Sequence, residues 1–452
     1  MSEIDPKAPG SEPGLAARQG AHRLVAAVLV QKRALDETFA EETSRGGLSQ
    51  AAGPDRGFAR AIAATTLRHL GEIDLIIKRL LDKKLPKSAG LTQTILRTAI
   101  AEILFLDVKP HAAVDLAVEA ASRDADARHF KSLVNALLRR LLREEATLRE
   151  GIDAERAALA PWLWKSWIGI YGEIKTRAII RAQFKEPPLD LSVKHEADTS
   201  LWAEKLGAIQ LPTGALRLTS AGRIENLEGF EEGAWWVQDA AAALPARLLG
   251  DVNGRDVLDL CAAPGGKTAW LAAHGANVTA LDRSAPRLQR LTQNLTRLDL
   301  KAEVVTADAT SYAPERQWDL ILLDAPCTAT GTARRHPDVL HLKTAADRDR
   351  LALLQARLLV CASELLAPGG TLVYCTCSLE PEEGPKQIEA FLSAHPDFAR
   401  APVTPAEIGG LTEAITPAGD LRTLPSHLAD EGGLDGFYAA RLVRTFTDKL
   451  RS

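Results

Sequence analysis

Apolar positions recur at three- and four-residue spacing along the first third of the chain, the periodicity of amphipathic helices. The segments GAHRLVAAVLVQKRALDETFAEE, DRGFARAIAATTLRHLGEIDLIIKRLL and TQTILRTAIAEILFL carry this pattern. Short breaks at Pro54, Pro86 and Pro110 separate them, because proline interrupts a helix. The pattern predicts an all-α domain of packed helices over residues 20–148, preceded by a disordered tail over residues 1–19.

The pattern changes twice after this helical region. Residues 149–230 mix short apolar runs with helical and turn signals, which predicts a small α+β connector domain. Over residues 231–452, short apolar runs alternate with helical segments; the runs are DVLDL, NVTALD, AEVVTAD, WDLILLDAP and GTLVYCT. Runs that are apolar throughout are typical of strands buried on both faces. The sequence therefore predicts a Rossmann-like α/β domain with a parallel sheet.

Composition places the chain among globular proteins of several domains. Its 452 residues exceed one ordinary core, and 46% hydrophobic with 25% charged residues is an ordinary balance. No stretch approaches the roughly 20 consecutive apolar residues that span a bilayer, and the polar N-terminus differs from a signal peptide. Five cysteines, an odd count in a long chain, argue against a disulfide framework. We expect a cytoplasmic monomer with free thiols and no membrane contact.

A glycine-rich turn follows the first predicted strand of the α/β domain, in VLDLCAAPGGKTAWLA. Backbone N–H groups in such a turn, with the start of a helix, hold anionic or dipolar ligand groups. A P-loop requires a glycine where this chain has Cys261, and the G-x-G-x-x-G dinucleotide fingerprint is also missing. Neither phosphate-binding motif is present, although a structural turn without a ligand remains an alternative.

Acidic residues end the next two predicted strands. Asp282 lies 23 residues after Asp259, the interval at which α/β nucleotide folds place an acid on ribose hydroxyls. Asp308 ends the third strand and offers an acceptor for an adenine amino group. Each acid taken alone is as often a loop cap. Together they predict a site that binds adenosine but has no pyrophosphate-binding motif. Such a site fits S-adenosylmethionine.

The fourth and fifth predicted strands deliver an acid and three cysteines. Asp324 and Cys327 follow one strand, and Cys375 and Cys377 end the other. If these strands are neighbours, Asp324, Cys327 and Cys377 converge at the carboxyl edge of the sheet. We expect Cys375 and Cys377 to point to opposite sides, one into the packing and the other to the crevice rim.

Less specific roles remain for the other cysteines. Cys361 falls on the apolar stripe of a predicted helix, which indicates a core residue, and Cys261 contributes its backbone to the turn. No Cys-x-x-Cys or histidine pair accompanies the Cys-x-Cys, so we expect no metal.

Two thiols and an acid beside a methyl donor point to methylation of a pyrimidine carbon. Carbon 5 of cytosine is too weak a nucleophile to attack a methyl sulfonium directly. A thiolate that adds to carbon 6 makes carbon 5 carbanion-like and divides one hard step into two easier ones. Asp324 would stabilise the adduct, and a second thiol or a base would help to release the enzyme.

The motifs DLCAAPGGKT, ALD, AD, LDAPCTATG and YCTCSLEPEE resemble, in order, those of RNA 5-methylcytosine methyltransferases of the NOP2/Sun/RsmB group. The resemblance covers about residues 231–445, including WWVQDAAA and DGFYAARL. It implies the class I methyltransferase fold, Cys377 as the nucleophile and Cys327 as the residue that assists product release. DNA cytosine methyltransferases use the Pro-Cys cysteine instead, which leaves the residue pattern alone undecided between the two thiols.

The resemblance also implies a set of residues for the cofactor. Residues 261–267 would hold its methionine end, Lys267 would in addition organise the catalytic site, and acids at strand ends would complete the adenosine site. The expected cofactor-binding residues are Cys261, Ala262, Ala263, Pro264, Gly265, Gly266, Lys267, Asp282, Arg287, Asp308 and Asp324.

The helical region resembles NusB-like RNA-binding domains in the segments LRTAIAEILFLDVKPHAAVDLAVE and FKSLVNALLRRLLRE. This pairing of domains implies the RsmB (Sun) branch, which acts on small-subunit (16S) ribosomal RNA. Residues 128–143 carry five Lys or Arg and no acid, and Arg334, Arg335 and His336 follow the Pro-Cys loop. Both clusters are expected to contact phosphates, with a solvated helix face as the alternative for 128–143. The same chemistry on tRNA, DNA methylation and a non-catalytic assembly factor remain as rival functions.

Overall fold

The computed structural model describes residues 14–219 and 222–445, and it divides into two compact units. The first unit contains the described residues up to Trp164 together with His336–Leu342. The second contains Lys165–Arg335 and the described residues from Lys343 onward. Within the described residues, no helix is both long and apolar enough to cross a membrane.

The first unit is helical, as the three- and four-residue spacing predicts. Its helices are α1 (Leu15–Leu29), α2 (Leu35–Ser44), α3 (Gly53–Arg68), α4 (Leu70–Leu80), α5 (Thr92–Phe105), α6 (Pro110–Arg123), α7 (Lys131–Arg149) and α8 (Ala154–Ala158). The next helix, α9 (Pro161–Gln183), begins here, continues in the second unit and is kinked at Gly172 (φ 73°). Pro54 and Pro110 lie in the first turns of α3 and α6, where their missing N–H costs nothing.

The start of α1 corrects the predicted tail. Residues 1–13 lie outside the described residues, but the helix begins at Leu15, inside the predicted 1–19 segment. Leu15 and Ala17 are buried, and Arg18 forms a 2.5 Å ion pair with buried Glu102 of α5. Burial raises the pKa of Glu102 to about 7, against the lowering effect of Arg18. Residues 15–18 are therefore part of the helical core.

A small antiparallel sheet follows α9 in the second unit, and three of its four strands lie in the region predicted as an α+β connector, while the fourth lies just beyond residue 230. It contains β1 (Leu189–Val193), β2 (Ile209–Gln210), β3 (Leu216–Leu218) and β4 (Trp235–Val237), in the order β2-β3-β1-β4, with α10 (Thr199–Leu206) beside them. Arg217 of β3 and Asp190 of β1 form a fully buried ion pair at 2.7 Å.

The large sheet has the order β10-β12-β9-β8-β5-β6-β7, with β11 paired to β12. Its strands are β5 (Asp256–Leu260), β6 (Asn277–Asp282), β7 (Glu303–Thr306), β8 (Trp318–Asp324), β9 (Leu366–Thr376), β10 (Phe398–Arg400), β11 (Leu421–Arg422) and β12 (Tyr438–Arg444). The helices of this region are α11 (Ala240–Arg247), α12 (Gly266–Ala273), α13 (Ala285–Arg297), α14 (Val339–Leu342, in the first unit), α15 (Ala345–Leu365) and α16 (Pro385–Ala394).

The five predicted strands, β5 to β9, are all present and mutually parallel. Alternate residues of β8 enter two different hydrophobic clusters, Leu320 and Leu322 in one, Ile321 and Leu323 in the other. Burial of both faces explains why this strand is apolar throughout. The sheet is mixed rather than purely parallel, because β12 pairs antiparallel with β9 and β10.

Candidate active site

Register brings the predicted site residues to one edge of the sheet. Leu260 pairs with Leu281, Asp282 with Thr306, and Asp324 with Cys375. The carboxyl ends of parallel strands form the edge at which ligands bind in open α/β sheets. The predicted neighbourhood of the fourth and fifth strands is confirmed, since β8 and β9 are hydrogen-bonded to each other.

The turn after β5 is held in a sharply bent conformation. Cys261 (φ 62°) and Gly265 (φ 101°) both lie in the left-handed region, and the N–H of Gly265 donates to the carbonyl of Ala262 at 2.9 Å. Gly265 is the residue before α12, and an added Cβ there would lie 2.7 Å from Cγ of Leu291. The glycine is therefore required both by backbone conformation and by close packing.

Asp282, at the end of β6, holds this turn through hydrogen bonds. Its Oδ2 accepts the N–H of Ala263 at 3.2 Å, and its Oδ1 accepts the N–H of Ser284 at 2.9 Å. Arg287 donates to the carbonyl of Ala263 and lies 3.7 Å from Oδ2 of Asp282. Arg287 therefore holds the turn and the carboxylate together.

The other acid predicted for the adenosine, Asp308, lies just beyond β7 and is exposed. Its Oδ1 accepts hydrogen bonds from the backbone N–H of Thr310 at 2.9 Å and from its hydroxyl at 2.7 Å. These bonds, above all the one from the hydroxyl, lower the pKa of Asp308. The side chain is therefore an ionised acceptor at the same edge of the sheet as Asp282.

Lys267 and Asp324 form an ion pair in the middle of this edge, with Nζ 2.8 Å from Oδ2. The Lys267 side chain is 9% exposed, and its Nζ lies 5.1 Å from the ring centre of Phe437. Burial lowers the pKa of Lys267, but the charge of Asp324 and the nearby thiols Cys375 and Cys377 outweigh it, so the pKa is raised. Lys267 is a permanent cation beside two cysteines.

A third acid, Asp259, lies beneath this pair in β5 and is fully buried. Its Oδ2 accepts the Thr268 hydroxyl at 2.6 Å, while its Oδ1 has no hydrogen-bond partner within the described structure. Burial raises the pKa of Asp259 to about 7, against the hydrogen bond from Thr268. In the sequence, Asp259 served only to measure the interval to Asp282, so its burial beneath the ion pair was not predicted.

Cys327 and Cys377 meet across the two loops, with 3.4 Å between their sulfur atoms. Both side chains are partly exposed, whereas Cys375 is fully buried and donates to Oδ1 of Asp324 at 3.4 Å. The expectation that Cys375 and Cys377 face opposite sides is wrong: both pack against the same hydrophobic cluster. Residues two apart along a strand share a face.

The environments of the thiols differ. The pKa of Cys327 is raised well above its ordinary value, first by its hydrogen bond to Cys377 and then by burial. Burial also raises the pKa of Cys375, and it raises that of Cys261 to about 12. Cys361 lies on α15, partly buried rather than in the core, with its sulfur 3.6 Å from the carbonyl of Thr310.

The two arginines after the Pro-Cys loop are paired with acids, whereas the sequence predicted that they contact phosphates. Arg334 is fully buried, with Nη2 3.3 Å from Asp239 and Nε 3.2 Å from Asp435. Arg335 also pairs with Asp239, at 2.7 Å. His336 lies in the first unit, 3.0 Å from Asp36. Arg334 and Arg335 therefore supply cations to buried acids.

The other predicted basic cluster, 128–143, is accessible. Within it, Arg128, Lys131, Arg139 and Arg143 are exposed, along the segment that leads into and forms most of α7. Arg140 is half-buried and pairs with Glu144 at 2.8 Å. Exposure keeps this cluster available to phosphates.

Sequence reasoning missed Glu383, a fully buried acid in the EPEE stretch after Cys377. Its carboxylate accepts from the Thr328 backbone at 2.9 Å and from the Ser378 hydroxyl at 2.6 Å. Glutamates in a stretch with proline read as a solvated loop, so composition gave no signal of this burial. The useful signal is position, since Glu383 follows the Thr-Cys-Ser motif by five residues.

Comparison with known proteins assigns the two parts of the chain. Residues 15–143 match the NusB family, and residues 246–443 match the family described as 16S rRNA methyltransferase RsmB/F. The chain is 36% identical to the ribosomal RNA small subunit methyltransferase B of Pasteurella multocida, over 95% of this chain and 96% of that protein. The chain belongs to the RsmB/F family.

A second relative in this family, the ribosomal RNA small subunit methyltransferase B of Pseudomonas putida, is 37% identical over 94% of this chain and 98% of its own. A solved methyltransferase homologue from Pyrococcus horikoshii is 27% identical, covers 66% of this chain and 98% of its own, and superposes with a TM-score of 0.52. The family resemblance, the NusB-like domain and the Rossmann-like methyltransferase fold are thus confirmed. Members of the RsmB/F family are rRNA methyltransferases that use S-adenosylmethionine, which is the cofactor of this chain.

Among the described residues, no group of three or more His, Cys, Asp or Glu side chains is arranged to hold a metal ion.

Proposed function

We propose that this chain methylates carbon 5 of a cytosine in small-subunit ribosomal RNA through a covalent adduct between Cys377 and carbon 6. The observation that carries the proposal is the pair of sulfur atoms of Cys327 and Cys377, 3.4 Å apart, next to the Lys267–Asp324 ion pair. Addition and release at a pyrimidine need two groups that reach the same ring, and these loops supply them.

The donor set at the sheet edge fits S-adenosylmethionine. The N-terminal N–H groups of α12 suit its carboxylate end, and the carboxylates of Asp282 and Asp308 suit its hydroxyl and amino donors. Each oxygen of Asp282 accepts one backbone N–H, and a carboxylate has about four acceptor sites, so acceptor capacity remains. When bound there, the cofactor supplies an electrophilic methyl group.

The electrostatics favour Cys377 over Cys327 as the nucleophile. The hydrogen bond between them, with burial, raises the pKa of Cys327, which disfavours Cys327 as the thiolate. Lys267 lies close enough to Cys377 for the two groups to interact electrostatically. The thiolate is the reactive form of a cysteine.

The chain's residues then act in sequence on the cytosine ring. The Cys377 thiolate forms a bond to carbon 6, and the electron pair of the 5,6 double bond moves toward carbon 5 and the ring nitrogen. Asp324, held by Lys267, shares a proton with the ring nitrogen at the Watson–Crick edge and so stabilises the charge that shifts onto the ring. After methylation, Cys327 assists loss of the carbon 5 proton, and the returning electron pair expels Cys377. The target must leave its stack to reach Cys377.

Contacts to the RNA backbone are assigned to the exposed cluster 128–143. Lys and Arg side chains on one face bind phosphates without reading sequence. The relatives' names, with the NusB-like unit that carries this cluster, support ribosomal RNA of the small subunit as the substrate.

The first experiment measures transfer of labelled methyl from S-adenosylmethionine to purified small-subunit rRNA and, separately, to a tRNA pool, followed by nucleoside analysis. We expect 5-methylcytidine in the rRNA alone. Label in tRNA alone would keep the chemistry and overturn the substrate. Absence of label in both RNAs and in partly assembled subunits would favour a non-catalytic assembly factor.

Cysteine variants assign the roles. Cys377→Ala is expected to abolish methylation, whereas Cys327→Ala leaves a protein–RNA adduct that survives SDS. Cys361→Ala, a partly buried thiol on α15, is the matched control and should retain activity. Reversed phenotypes for Cys327 and Cys377 would show the arrangement used by DNA cytosine methyltransferases.

A further inference from the structure

We propose that Glu383 is the positioning residue that holds Cys327 and Cys377 at reacting distance, by fastening both of their loops to one buried carboxylate. This inference depends on the proposed roles of the two cysteines. Glu383 is not expected to touch the RNA or the cofactor, because its side chain is fully buried.

The carboxylate binds the loop of Cys327 through the next residue. Oε1 of Glu383 accepts the backbone N–H of Thr328 at 2.9 Å, and Oε2 accepts the Thr328 hydroxyl. Oε1 also accepts the side-chain amide of Gln355 at 3.1 Å, and the same amide donates to the carbonyl of Pro326 at 2.9 Å. The residues on both sides of Cys327 are therefore tied, directly or through Gln355, to Glu383.

The same carboxylate binds the loop of Cys377. Oε2 accepts the hydroxyl of Ser378 at 2.6 Å. The Ser378 hydroxyl lies 3.1 Å from that of Thr328, so one carboxylate and two hydroxyls form a closed network under the cysteine pair. Thr328 and Ser378 directly follow Cys327 and Cys377, so a shift of either hydroxyl shifts a reacting sulfur.

Glu383 is itself anchored to the end of β9. Its backbone carbonyl accepts the hydroxyl of Tyr374 at 2.8 Å and that of Thr376 at 3.0 Å. Both residues are fully buried. Anchored and fully bonded in this way, the carboxylate is fixed relative to the sheet, and it transmits that rigidity to both loops.

A group that only accepts hydrogen bonds is required at this position for a physical reason. The carboxylate faces four donors: two hydroxyls, one amide and one backbone N–H. An ionised carboxylate only accepts, and it satisfies all four. In Glu383→Gln the side-chain NH₂ group would face some of these four donors, and those donors would lose their acceptor.

The chain offers a matched control three residues earlier. Glu380 is also fully buried, and its carboxylate accepts from Ser166 and from the indole of Trp167, both at 2.6 Å. Those partners belong to α9 and not to the cysteine loops. Loss of the Glu380 carboxylate removes a buried acceptor without releasing Cys327 or Cys377.

The test compares Glu383→Gln, Glu383→Ala and Glu380→Gln in the full-length protein. The first readout is kcat against KM for RNA methylation. A misplacement of about 1 Å costs on the order of 100-fold in rate, so we expect kcat to fall about 100-fold in Glu383→Ala and about tenfold in Glu383→Gln. KM for RNA and the affinity for S-adenosylhomocysteine should stay within about threefold of wild type, and Glu380→Gln should keep its kcat.

A second readout needs no methylation at all. Diamide takes two electrons and two protons from a pair of thiols and is reduced to its hydrazine as they form a disulfide. The rate at which Cys327 and Cys377 become linked, followed by mass spectrometry, reports how well they are held together. We expect the linkage in Glu383→Gln to form at least about threefold more slowly than in wild type and Glu380→Gln.

The outcomes separate the two proposals. If wild type makes no 5-methylcytidine but the linkage slows only in Glu383 variants, the positioning role stands and the proposed function fails. The positioning role is overturned if Glu383→Gln keeps both rates, or if Glu380→Gln loses them equally. Should Glu383→Ala fail to fold, as thermal unfolding would reveal, Glu383→Gln and the linkage rate still decide.

Discussion

Replacing Arg334 by methionine should destabilise the second unit without lowering the affinity for RNA. Arg334 is fully buried between Asp239 and Asp435, so its loss leaves two carboxylates that share the remaining cation, Arg335. Breaking a buried ion pair by removing one partner costs about 3–5 kcal/mol. For a domain of this size, that corresponds to a fall in Tm on the order of 10 °C.

The acids around Arg334 show why the cost is high. Burial raises the pKa of Asp435 to about 6, helped by the neighbouring Asp239. Burial acts in the same direction on Asp239, but Arg335 and Arg334 overcome it and lower its pKa to about 2. Without Arg334 both pKa values should rise. The variant should therefore recover stability when the pH is lowered from 7 to 5, because the folded state then takes up protons that the unfolded state does not.

The assays are thermal unfolding and RNA binding at several salt concentrations. Arg334→Met should keep the wild-type slope of log K against log salt, whereas Arg143→Ala, on the exposed face of α7, should reduce it by roughly 0.7 and leave Tm unchanged. A stable Arg334→Met protein with a reduced salt slope would refute the reasoning and restore Arg334 as a phosphate contact.

Two further substitutions test the turn after β5 and the acid beneath it. Gly265→Ala should lower Tm and weaken binding of S-adenosylhomocysteine at least about tenfold, because φ is 101° and the new Cβ would lie 2.7 Å from Leu291. A tenfold change corresponds to about 1.36 kcal/mol. The control Gly169→Ala, which has open space around the new Cβ, should lower neither Tm nor the affinity. Asp259→Asn should flatten the pH dependence of stability, measured by urea unfolding. The pKa of Asp259 is raised to about 7, so in wild type its contribution to the free energy of unfolding falls as pH rises from about 4 to 7. An unchanged pH profile would show that Asp259 is not the titrating group.

Structural features that depend on residues close together in the sequence could be predicted. The strands β5 to β9 were predictable because each is a short apolar run bounded by turns, and their neighbourhood follows from the rules of parallel sheets. The turn at 261–267 and the acids at the strand ends were predictable for the same reason. The pairing of Asp324 with Cys375 across β8 and β9 follows from that topology.

Long-range polar partners were not predictable. Arg334 is separated from Asp239 by 95 residues and from Asp435 by 101, and periodicity does not reveal which acids a basic stretch will meet. Glu383 and Thr328 are 55 residues apart. In both cases the local sequence suggests a solvated surface, whereas the fold buries these charged side chains against polar partners that are distant in sequence. The antiparallel strand β12 was missed because its run, YAARLVR, is interrupted by one arginine and ends in another.

The path of the chain after the Pro-Cys loop limits how this protein can be divided. The helical unit includes His336–Leu342, where Asp338 accepts the N–H of Leu35 at 2.9 Å and His341 contacts the carbonyl of Leu67 at 2.8 Å. The polypeptide therefore passes between the units three times, after Trp164, after Arg335 and after Leu342. Cutting the gene at a single linker would yield a fragment in which these seven residues have lost the helices they pack on. Domain exchange between relatives would have to carry two separate stretches of sequence together.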